Sequence, residues 1–510
     1  MVVESVRPEV DCGRYPVKRV LGEEVRVEAD VFADGHDEVS CELVFRLLGE
    51  KAWQSVPMQF LGNDHWSASF RVERLGRYEY TVRGWTDPLA TWRKDLEKRR
   101  AAGQDLTVEL QIGAGLEKTP LAPERISTYE RVLEVQVDPV QARFCAWYEM
   151  FPRSVRGDGR AATFRDLAER LPYVAGLGFD ILYLPPIHPI GASARKGKNN
   201  AEGAAPGDVG SPWAIGAAEG GHKAIHPELG SFEDFACLVK EAEKANIKIA
   251  LDIAFQCSPD HPYVKEHPKW FRWRPDGTVQ YAENPPKKYQ DIYPFDFETA
   301  EWPELYDELK SVFQFWAARG VKIFRVDNPH TKPFAFWEWC LGELKREHPE
   351  LIFLSEAFTR PRIMHRLAKL GFTQSYTYFT WRNSKQELVE YFTELTKDAS
   401  REYFRPSVWP NTPDILHASL QAGGRPAFIS RVVLAATLAA SYGIYGPAYE
   451  LMEGTAREPG SEEYLNSEKY EIKRWETGRS DSLYPIIARL NRIRSENAAL
   501  QSDWSLAFHS

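Results

Sequence analysis

The sequence has few cysteines, and none of them stands in a closely spaced pair. Six occur among the 510 residues, with no CxxC motif: Cys12, Cys41, Cys145, Cys237, Cys257 and Cys340. A disulfide framework or a structural zinc site needs paired or regularly spaced cysteines. The scattered positions favour reduced thiols, so we predict a cytoplasmic location.

Long apolar segments are also missing. The longest largely apolar run, Val432 to Ala440, is far shorter than the roughly 20 residues that a membrane helix needs. Residues 1–12 carry four charged side chains and lack the apolar core of a secretory signal peptide. We therefore expect neither a membrane partner nor secretion.

Positive charge is not in excess. The 64 Lys and Arg residues face 73 Asp and Glu residues, and the resulting net charge of -9 argues against nucleic acid as the main partner. An anionic substrate would therefore need a local basic site. With 43% hydrophobic and 27% charged residues the chain is globular, and its length predicts two or three domains.

The N-terminal part has the alternating pattern of β-strands. Within Glu24 to Phe32 the odd-numbered positions place four apolar side chains on one face: Val25, Val27, Ala29 and Val31. Similar runs and turn signals predict a β-sandwich over residues 1–87. Residues 88–135 are predicted to be a short helical segment or linker, with Asp95–Arg100 and Glu124–Leu133 as helical candidates.

From residue 136 to 510, short apolar runs alternate with amphipathic helical stretches. The strand candidates are Phe144–Tyr148, Ile181–Leu184, Ile247–Ile253, Val321–Val326, Ile352–Leu354, Gln374–Phe379, Pro406–Trp409 and Gly443–Tyr445. Eight apolar strands separated by helices predict an α/β fold, a (β/α)8 TIM barrel with inserted loops. The largest insertion, residues 187–224, lacks periodicity, and long loops of this kind commonly carry function.

Three carboxylates lie where such a barrel carries its active site, at the C-terminal ends of strands. Asp327 and Glu356 follow neighbouring strand candidates, and Asp414 follows a later one. Two carboxyl groups about 5 Å apart are what a retaining glycosidase uses, one to attack the anomeric carbon and the other to protonate the departing oxygen. For any one of them alone, an ordinary ion pair at a strand end is the simpler explanation.

The surroundings of the two acids predict opposite roles. Arg325 precedes Asp327 by two residues, which puts both side chains on the same strand face, where the guanidinium favours the ionised nucleophile. Glu356 has Leu354 and Phe358 nearby and no cation adjacent in sequence. A desolvated carboxyl group keeps its proton more easily, as a general acid must.

Segments in order along the chain resemble the signature blocks of the α-amylase clan of glycoside hydrolases. They are Asp252-Ile-Ala-Phe-Gln-Cys, Pro294-Phe-Asp-Phe, Phe324-Arg-Val-Asp-Asn-Pro-His, Leu354-Ser-Glu-Ala-Phe and Pro410-Asn-Thr-Pro-Asp. This resemblance implies Asp327 as nucleophile, Glu356 as general acid/base, and Asp414 as a third acid that holds sugar hydroxyls. The chain departs from typical amylases at Gln256-Cys257 and Pro413, where they have Asn-His and His.

Other segments are similar to one branch of that clan, the bacterial α-1,4-glucan:maltose-1-phosphate maltosyltransferases. They include Tyr148-Glu-Met-Phe-Pro-Arg-Ser, Arg195-Lys-Gly-Lys-Asn-Asn, Asn284-Pro-Pro-Lys-Lys-Tyr-Gln-Asp-Ile-Tyr-Pro and Glu468-Lys-Tyr-Glu-Ile. By resemblance, the maltosyl donor would be bound by Lys196, Gln256, Asp291, Asn328, Lys469 and Tyr470, and its phosphate by Asn284, Lys287, Lys288 and Tyr289. We count Arg325 with the substrate-binding residues. The resemblance implies no cofactor.

A phosphate group carries nearly two charges at neutral pH, so clustered cations such as Lys287 and Lys288 suit it. Without the resemblance, a solvated pair in a loop would be the simpler explanation of these lysines. Four histidines, His222, His226, His261 and His330, are not spaced for a metal ion, so no metal site is assigned.

The predicted activity is retaining transfer of maltosyl units from α-maltose 1-phosphate to the non-reducing end of α-1,4-glucans, with release of phosphate. The loop 191–203 is a candidate lid over the donor. Two alternatives stay open. One is an α-glucan hydrolase or glucanotransferase without a phosphate donor. The other is an inactive barrel that serves as a binding module, against which the presence of Asp327 and Glu356 argues.

The resemblance also raises two expectations about assembly. Members of the family carry a C-terminal β-domain after the barrel, and since this sequence stops at Ser510 that domain is expected to be absent. The helical segment 88–135 is shorter than the helical insertion through which family members dimerise. A homodimer through the N-terminal region is expected.

Overall fold

The structure is a computed structural model that describes residues 1–119, 122–285 and 287–509. Four residues of the regions discussed above, Pro120, Leu121, Pro286 and Ser510, therefore lie outside the described residues. The chain forms two compact units, Met1–Pro139 and Val140–Ser510. The strand Leu133–Asp138 belongs to the first unit because it pairs with Val17–Val20 and Gly76–Thr86.

The first unit contains two sheets. One has four strands in the order Val2–Arg7, Glu24–Phe32, His65–Arg71 and Gln59–Gly62. The other has the order Val17–Val20, Leu133–Asp138, Gly76–Thr86, Val39–Leu47 and Gln54–Pro57, with Ser127–Thr128 beside Gly76–Thr86. In Glu24–Phe32 the four predicted apolar side chains are all buried, so the alternation correctly identified the core face.

The helical prediction for the following segment was half right. The candidate Asp95–Arg100 lies inside the helix Pro88–Ala101, whose first turn is capped by the Asp87 side chain. The candidate Glu124–Leu133 was wrong, since it overlaps a 3-10 turn, Pro123–Arg125, and contains the short strand Ser127–Thr128. Its end joins the buried strand Leu133–Asp138 because sheet pairing overrides a weak helical preference. The second helix is Thr107–Leu116.

The second unit is a closed barrel of eight parallel strands, as predicted. They are β1 (Cys145–Glu149), β2 (Ile181–Leu184), β3 (Lys248–Ile253), β4 (Ile323–Asp327), β5 (Ile352–Glu356), β6 (Gln374–Tyr376), β7 (Pro406–Val408) and β8 (Ser441–Tyr445). Every strand candidate overlaps one of these strands. Nearly every residue in them is buried, which explains why the runs are apolar on both faces.

The longer helices of this unit are Phe164–Gly176, Phe232–Lys244, Trp302–Ala317, Phe334–Glu347, Pro361–Lys369, Lys385–Lys397, Ala418–Leu438 and Tyr484–Glu496. Shorter ones are Pro262–Glu266 and Gly446–Glu450. Ser231 begins Phe232–Lys244 with a capping box to Asp234, which satisfies backbone donors at the first turn. Within Trp302–Ala317 the helix buries Leu305, Leu309, Val312 and Trp316, the face that the 3.6-residue period indicates.

The loops above the C-terminal strand ends contain little regular structure. Residues 187–224 hold one 3-10 turn, Lys198–Asn200, and isolated bridges such as Ile190 with Ile215. After β3, two small sheets form, Gln256–Cys257 with Tyr293–Pro294 and Ala282–Asn284 with Lys287–Tyr289. Among the described residues, no helix is long and apolar enough to cross a membrane.

Candidate active site

The two acids predicted to do the chemistry stand side by side. Asp327 and Glu356 are the last residues of β4 and β5, and the register of these parallel strands pairs one directly with the other. Adjacent strands lie about 4.8 Å apart. Both side chains therefore start from neighbouring positions at the same end of the barrel, where active sites of this fold are built.

The guanidinium of Arg325 connects three carboxylates. Its Nη1 lies 2.8 Å from Asp327 Oδ1 and 2.9 Å from Asp252 Oδ2, and its Nη2 lies 3.5 Å from Glu356 Oε1. The sequence predicted the contact with Asp327 but not the cation beside Glu356, because that contact crosses from β4 to β5. One buried cation thus holds both candidate catalytic groups.

The same surroundings shift the pKa values of the two acids in opposite directions. Burial raises the pKa of Glu356 to about 7, and the nearby charges of Asp327 and Asp414 act in the same sense, against Arg325. Burial alone would also raise the pKa of Asp327. The positive charges of Arg325 and Lys332 outweigh it, so that the pKa of Asp327 is lowered. An ionised Asp327 beside a protonated Glu356 is the state that a nucleophile and a general acid require.

Side chains that the sequence analysis did not single out complete the buried wall. The Tyr183 hydroxyl donates to Asp252 Oδ2 at 2.5 Å, and the Tyr183 and Tyr376 rings lie 5.9 Å and 6.0 Å from the Arg325 guanidinium. Burial raises the pKa of Asp252 to about 7. Asp252 had a usable signal, since it opens one of the recognised blocks, whereas the tyrosines lie within runs that only indicated strands.

The turn after β4 ties the two acids together. Asn328 has the left-handed backbone conformation, with φ 42° and ψ 51°. Its main-chain N–H donates to Glu356 Oε2 at 3.1 Å, and its side-chain Nδ2 donates to Asp327 Oδ2 at 3.3 Å. The predicted substrate residue Asn328 therefore also bridges the nucleophile and the acid.

Three of the predicted residues, Asp414, Lys469 and Tyr470, lie close together. Lys469 Nζ lies 2.7 Å from Asp414 Oδ1 and 4.8 Å from the centre of the Trp213 ring. The Asp414 side chain is 51% exposed, while Tyr470 is buried beside it and its pKa is raised by burial. Asp414 thus combines an accessible carboxylate with a fixed cation, as a group that binds sugar hydroxyls needs.

The residues predicted for the donor and its phosphate lie close to one another. The hairpin Ala282–Asn284 and Lys287–Tyr289 pairs Asn284 with Lys287. Lys287 is 66% exposed and lies 3.8 Å from Glu463, and Lys288 is exposed too. Lys196 is only 6% exposed and reaches Lys288 O at 3.5 Å. The long insertion therefore contacts the hairpin.

Two predicted residues present polar atoms towards this region. Gln256 donates from Nε2 to Trp213 O at 3.2 Å. Asp291 is buried, and its Oδ1 has no hydrogen-bond partner among the described residues. Burial raises the pKa of Asp291, although the charges of Lys196 and Lys469 oppose this. A buried acceptor with no partner among the described residues, acted on by two cations, is suited to a ligand hydroxyl.

Folding brings together His222, His261 and Cys257, which their sequence spacing did not predict. Hydrogen bonds occupy the imidazoles. His222 Nε2 lies 2.9 Å from Ala254 O, His222 Nδ1 lies 3.1 Å from His261 Nε2, and Tyr263 N donates to His261 Nδ1 at 3.1 Å. These hydrogen bonds give a partner to both ring nitrogens of each histidine, so the cluster is explained as an internal hydrogen-bond network.

A cavity of about 680 Å³ lies under the long insertion. It is lined by Arg153 and Arg195 among others, and neither Asp327 nor Glu356 reaches it. Arg153 donates to the main-chain oxygens of Glu468 and Lys469, and Arg195 donates to that of Ile190. The walls of this cavity therefore support the two segments that carry Lys196 and Lys469.

Both parts of the chain match known families. Residues 1–149 match alpha-1,4-glucan:maltose-1-phosphate maltosyltransferase, domain N/S, and residues 149–332 match the alpha amylase catalytic domain. The chain is 54% identical to the alpha-1,4-glucan:maltose-1-phosphate maltosyltransferase of Chlorobaculum tepidum, across 100% of this chain and 82% of the relative. It is 51% identical to that of Methylacidiphilum infernorum, across 100% and 83%.

Solved structures share the fold. An alpha-amylase from Lactobacillus plantarum has a TM-score of 0.55 at 22% identity, covering 71% of this chain and 82% of that chain. A cyclomaltodextrinase has a TM-score of 0.54 at 16% identity, covering 95% and 84%. At these identities the likeness concerns the architecture alone. It agrees with the closed barrel that the sequence predicted.

Proposed function

This chain belongs to the alpha-1,4-glucan:maltose-1-phosphate maltosyltransferase family, and from that membership we propose that Asp327 and Glu356 transfer maltosyl units by double displacement. The chain is a maltosyltransferase, with maltose 1-phosphate as donor and an α-1,4-glucan as acceptor. One observation carries the mechanism. The two acids share a single guanidinium and have pKa values displaced in opposite directions.

In the first step, an oxygen of the Asp327 carboxylate attacks the anomeric carbon of the maltosyl group. The bond from that carbon to the phosphate oxygen breaks, and its electron pair stays on that oxygen. Glu356 gives its proton to the same oxygen, and hydrogen phosphate leaves. Arg325 and Lys332 keep Asp327 ionised for this attack.

In the second step, the 4-hydroxyl at the non-reducing end of the glucan attacks the anomeric carbon of the maltosyl enzyme. Glu356, now ionised, takes the hydroxyl proton, and the Asp327 carboxylate leaves. Two inversions give net retention. Water must be kept from this intermediate, so the loop 191–203 is proposed as a lid. The buried position of Lys196 within it supports that role.

Binding is assigned to the residues around these acids. Lys196, Gln256, Asp291, Asn328, Lys469 and Tyr470 are proposed to hold the maltosyl group. Asn284, Lys287, Lys288 and Tyr289 are proposed to hold its phosphate. Asp414 is proposed to bind sugar hydroxyls in the transition state. The contact of Lys196 with Lys288 O supports placing both groups against one donor molecule.

We also propose that the enzyme works in the cytoplasm as a homodimer formed through its N-terminal region. All six cysteines are free thiols, which suits a reducing compartment. Three large apolar side chains of the helix Thr107–Leu116 are exposed, namely Val108, Leu110 and Ile112, and they support a contact with a second copy. Light scattering of the purified chain tests the stoichiometry, and a monomer at all concentrations would refute it.

The decisive assay measures phosphate release from maltose 1-phosphate in the presence and absence of a maltooligosaccharide. We expect release that depends on the acceptor, elongation by two glucose units, and loss of both in Asp327→Asn and Glu356→Gln. In reverse, glucan plus phosphate should yield maltose 1-phosphate. Glucan cleavage or disproportionation that ignores phosphate would instead support the hydrolase or glucanotransferase alternative.

A further inference from the structure

Lys332 is a buried cation in the turn that follows the nucleophile. Its Nζ donates to the main-chain oxygen of Asp327 at 3.4 Å and to that of Asn328 at 3.2 Å. These two carbonyl groups belong to the peptide units on either side of the Asn328 Cα atom. Because each peptide unit is planar, their mutual orientation is set by φ and ψ of Asn328 alone. A single ammonium group therefore restrains both angles.

The restrained conformation is an uncommon one. Residues other than glycine seldom have a left-handed backbone, although asparagine adopts it more readily than most, and contacts from the surroundings hold it in place. Thr331 supports this conformation by donating from Oγ1 to Asn328 O at 2.8 Å. Lys332 supports it further by its hydrogen bond to Asp327 O. In this conformation the Asn328 N–H reaches Glu356 while its side chain reaches Asp327.

Lys332 also faces the charges of the site. The groups that act on it are Asp327, Glu356, Asp252 and Arg325, from three strands, and His330 lies in the same turn. Burial lowers the pKa of Lys332, and the three carboxylates oppose that effect. Its positive charge is therefore matched to the acids around it.

We propose that Lys332 is a positioning residue for maltosyl transfer: it holds the left-handed turn at Asn328 that aligns Asp327 with Glu356, and it supplies a second positive charge beside the nucleophile. This inference rests on the proposed roles of these two acids. Lys332 touches backbone oxygens in the turn, so its effect on substrate passes through Asn328 and Asp327.

The test compares Lys332→Met with Lys345→Met. Lys345 is equally buried and donates to a main-chain oxygen, that of Leu351, but it lies before β5, at the end opposite Glu356. It therefore controls for the loss of a buried lysine. We expect kcat to fall about 100-fold in Lys332→Met, as a misplaced catalytic group gives. The KM for maltose 1-phosphate should stay within about threefold, and Lys345→Met should keep kcat near the wild-type value.

The pH profile separates positioning from structure. Removing the charge should raise the pKa of Asp327 and move the acidic limb of kcat/KM for maltose 1-phosphate to higher pH. Lys332→Arg should return that limb towards the wild-type position. If Lys332→Met does not fold, Lys332→Gln is read in the same way, since its amide can still donate but carries no charge.

Three outcomes would overturn the proposal. They are a kcat loss no larger than in Lys345→Met, a loss confined to KM, or an unmoved acidic limb. The proposed function fails separately, if the wild-type chain releases no phosphate or if Asp327→Asn remains active.

Discussion

Replacing Arg325 with Met should have an effect that grows with pH. The side chain is buried, and its single positive charge lies within ion-pair distance of Asp252, Asp327 and Glu356. Without it, burial of Asp327 is opposed by the charges of Lys332 and Lys469, and burial of Glu356 by the hydrogen bond from the Asn328 N–H. The pKa of Asp327, which is lowered in the wild type, should then rise above its ordinary value, and those of Asp252 and Glu356 should rise above about 7.

The size of the effect follows from the burial of the group. Removing one partner of a buried ion pair costs about 3–5 kcal/mol of unfolding free energy. In the unfolded chain the acids titrate near pH 4. A carboxyl group with a raised folded pKa contributes stability below that pH and loses it as the pH rises through the folded value. The deficit of Arg325→Met relative to the wild type should therefore be small near pH 4 and should grow with pH until the pH exceeds the raised pKa values of the variant.

Urea unfolding at a series of pH values measures this deficit, and the pH dependence of kcat/KM measures the nucleophile. Arg431→Met is the matched control. Arg431 is equally buried but donates to the main-chain oxygens of Arg382 and Phe379, and it forms no ion pair with a described carboxylate. The unfolding free energy lost in Arg431→Met should be the same at every pH. If the unfolding free energy lost in Arg325→Met were also independent of pH, the electrostatic reasoning would be refuted. It would also be refuted if the acidic limb of the kcat/KM profile stayed at the wild-type pH.

Three further predictions concern the reaction. Glu356 must be protonated in the first step, and its pKa is raised to about 7. Measured as phosphate release, kcat/KM for maltose 1-phosphate should therefore fall about tenfold per pH unit above about pH 7. A flat profile up to about pH 9 would contradict the role of Glu356 as general acid. Lys288→Ala should raise the KM for maltose 1-phosphate at least tenfold, since a charged hydrogen bond contributes about 1.5–3 kcal/mol. The KM for the glucan should stay unchanged. Equal effects on both KM values would contradict a phosphate site at Lys288. Lys196→Ala should weaken donor binding, measured by calorimetry, and lower transfer relative to hydrolysis. If donor affinity and transfer were unchanged, both the donor role of Lys196 and the lid 191–203 would be wrong.

Much of the fold was predictable because it is local. The eight strands were recognised as apolar runs separated by helical periodicity. The strand bounds differ by a few residues. The segment 124–133 was predicted wrongly because pairing with the distant strand Gly76–Thr86 decides its conformation.

The sequence by itself determined which acids stand at the ends of neighbouring strands, since chain order and strand period place Asp327 and Glu356 there and put Arg325 on the face of Asp327. Only the tertiary structure decided the electrostatics. Three sets of contacts depend on how the elements lie in space. They are the ion pairs of Arg325 with Glu356 and Asp252, the hydrogen bond between His222 and His261, and the hydrogen bond from Lys332 to the turn at Asn328. The physical reason is that a period of 2 or 3.6 residues reports only the face of an element, whereas the charge state of a buried group depends on every neighbour that folding brings within a few ångströms.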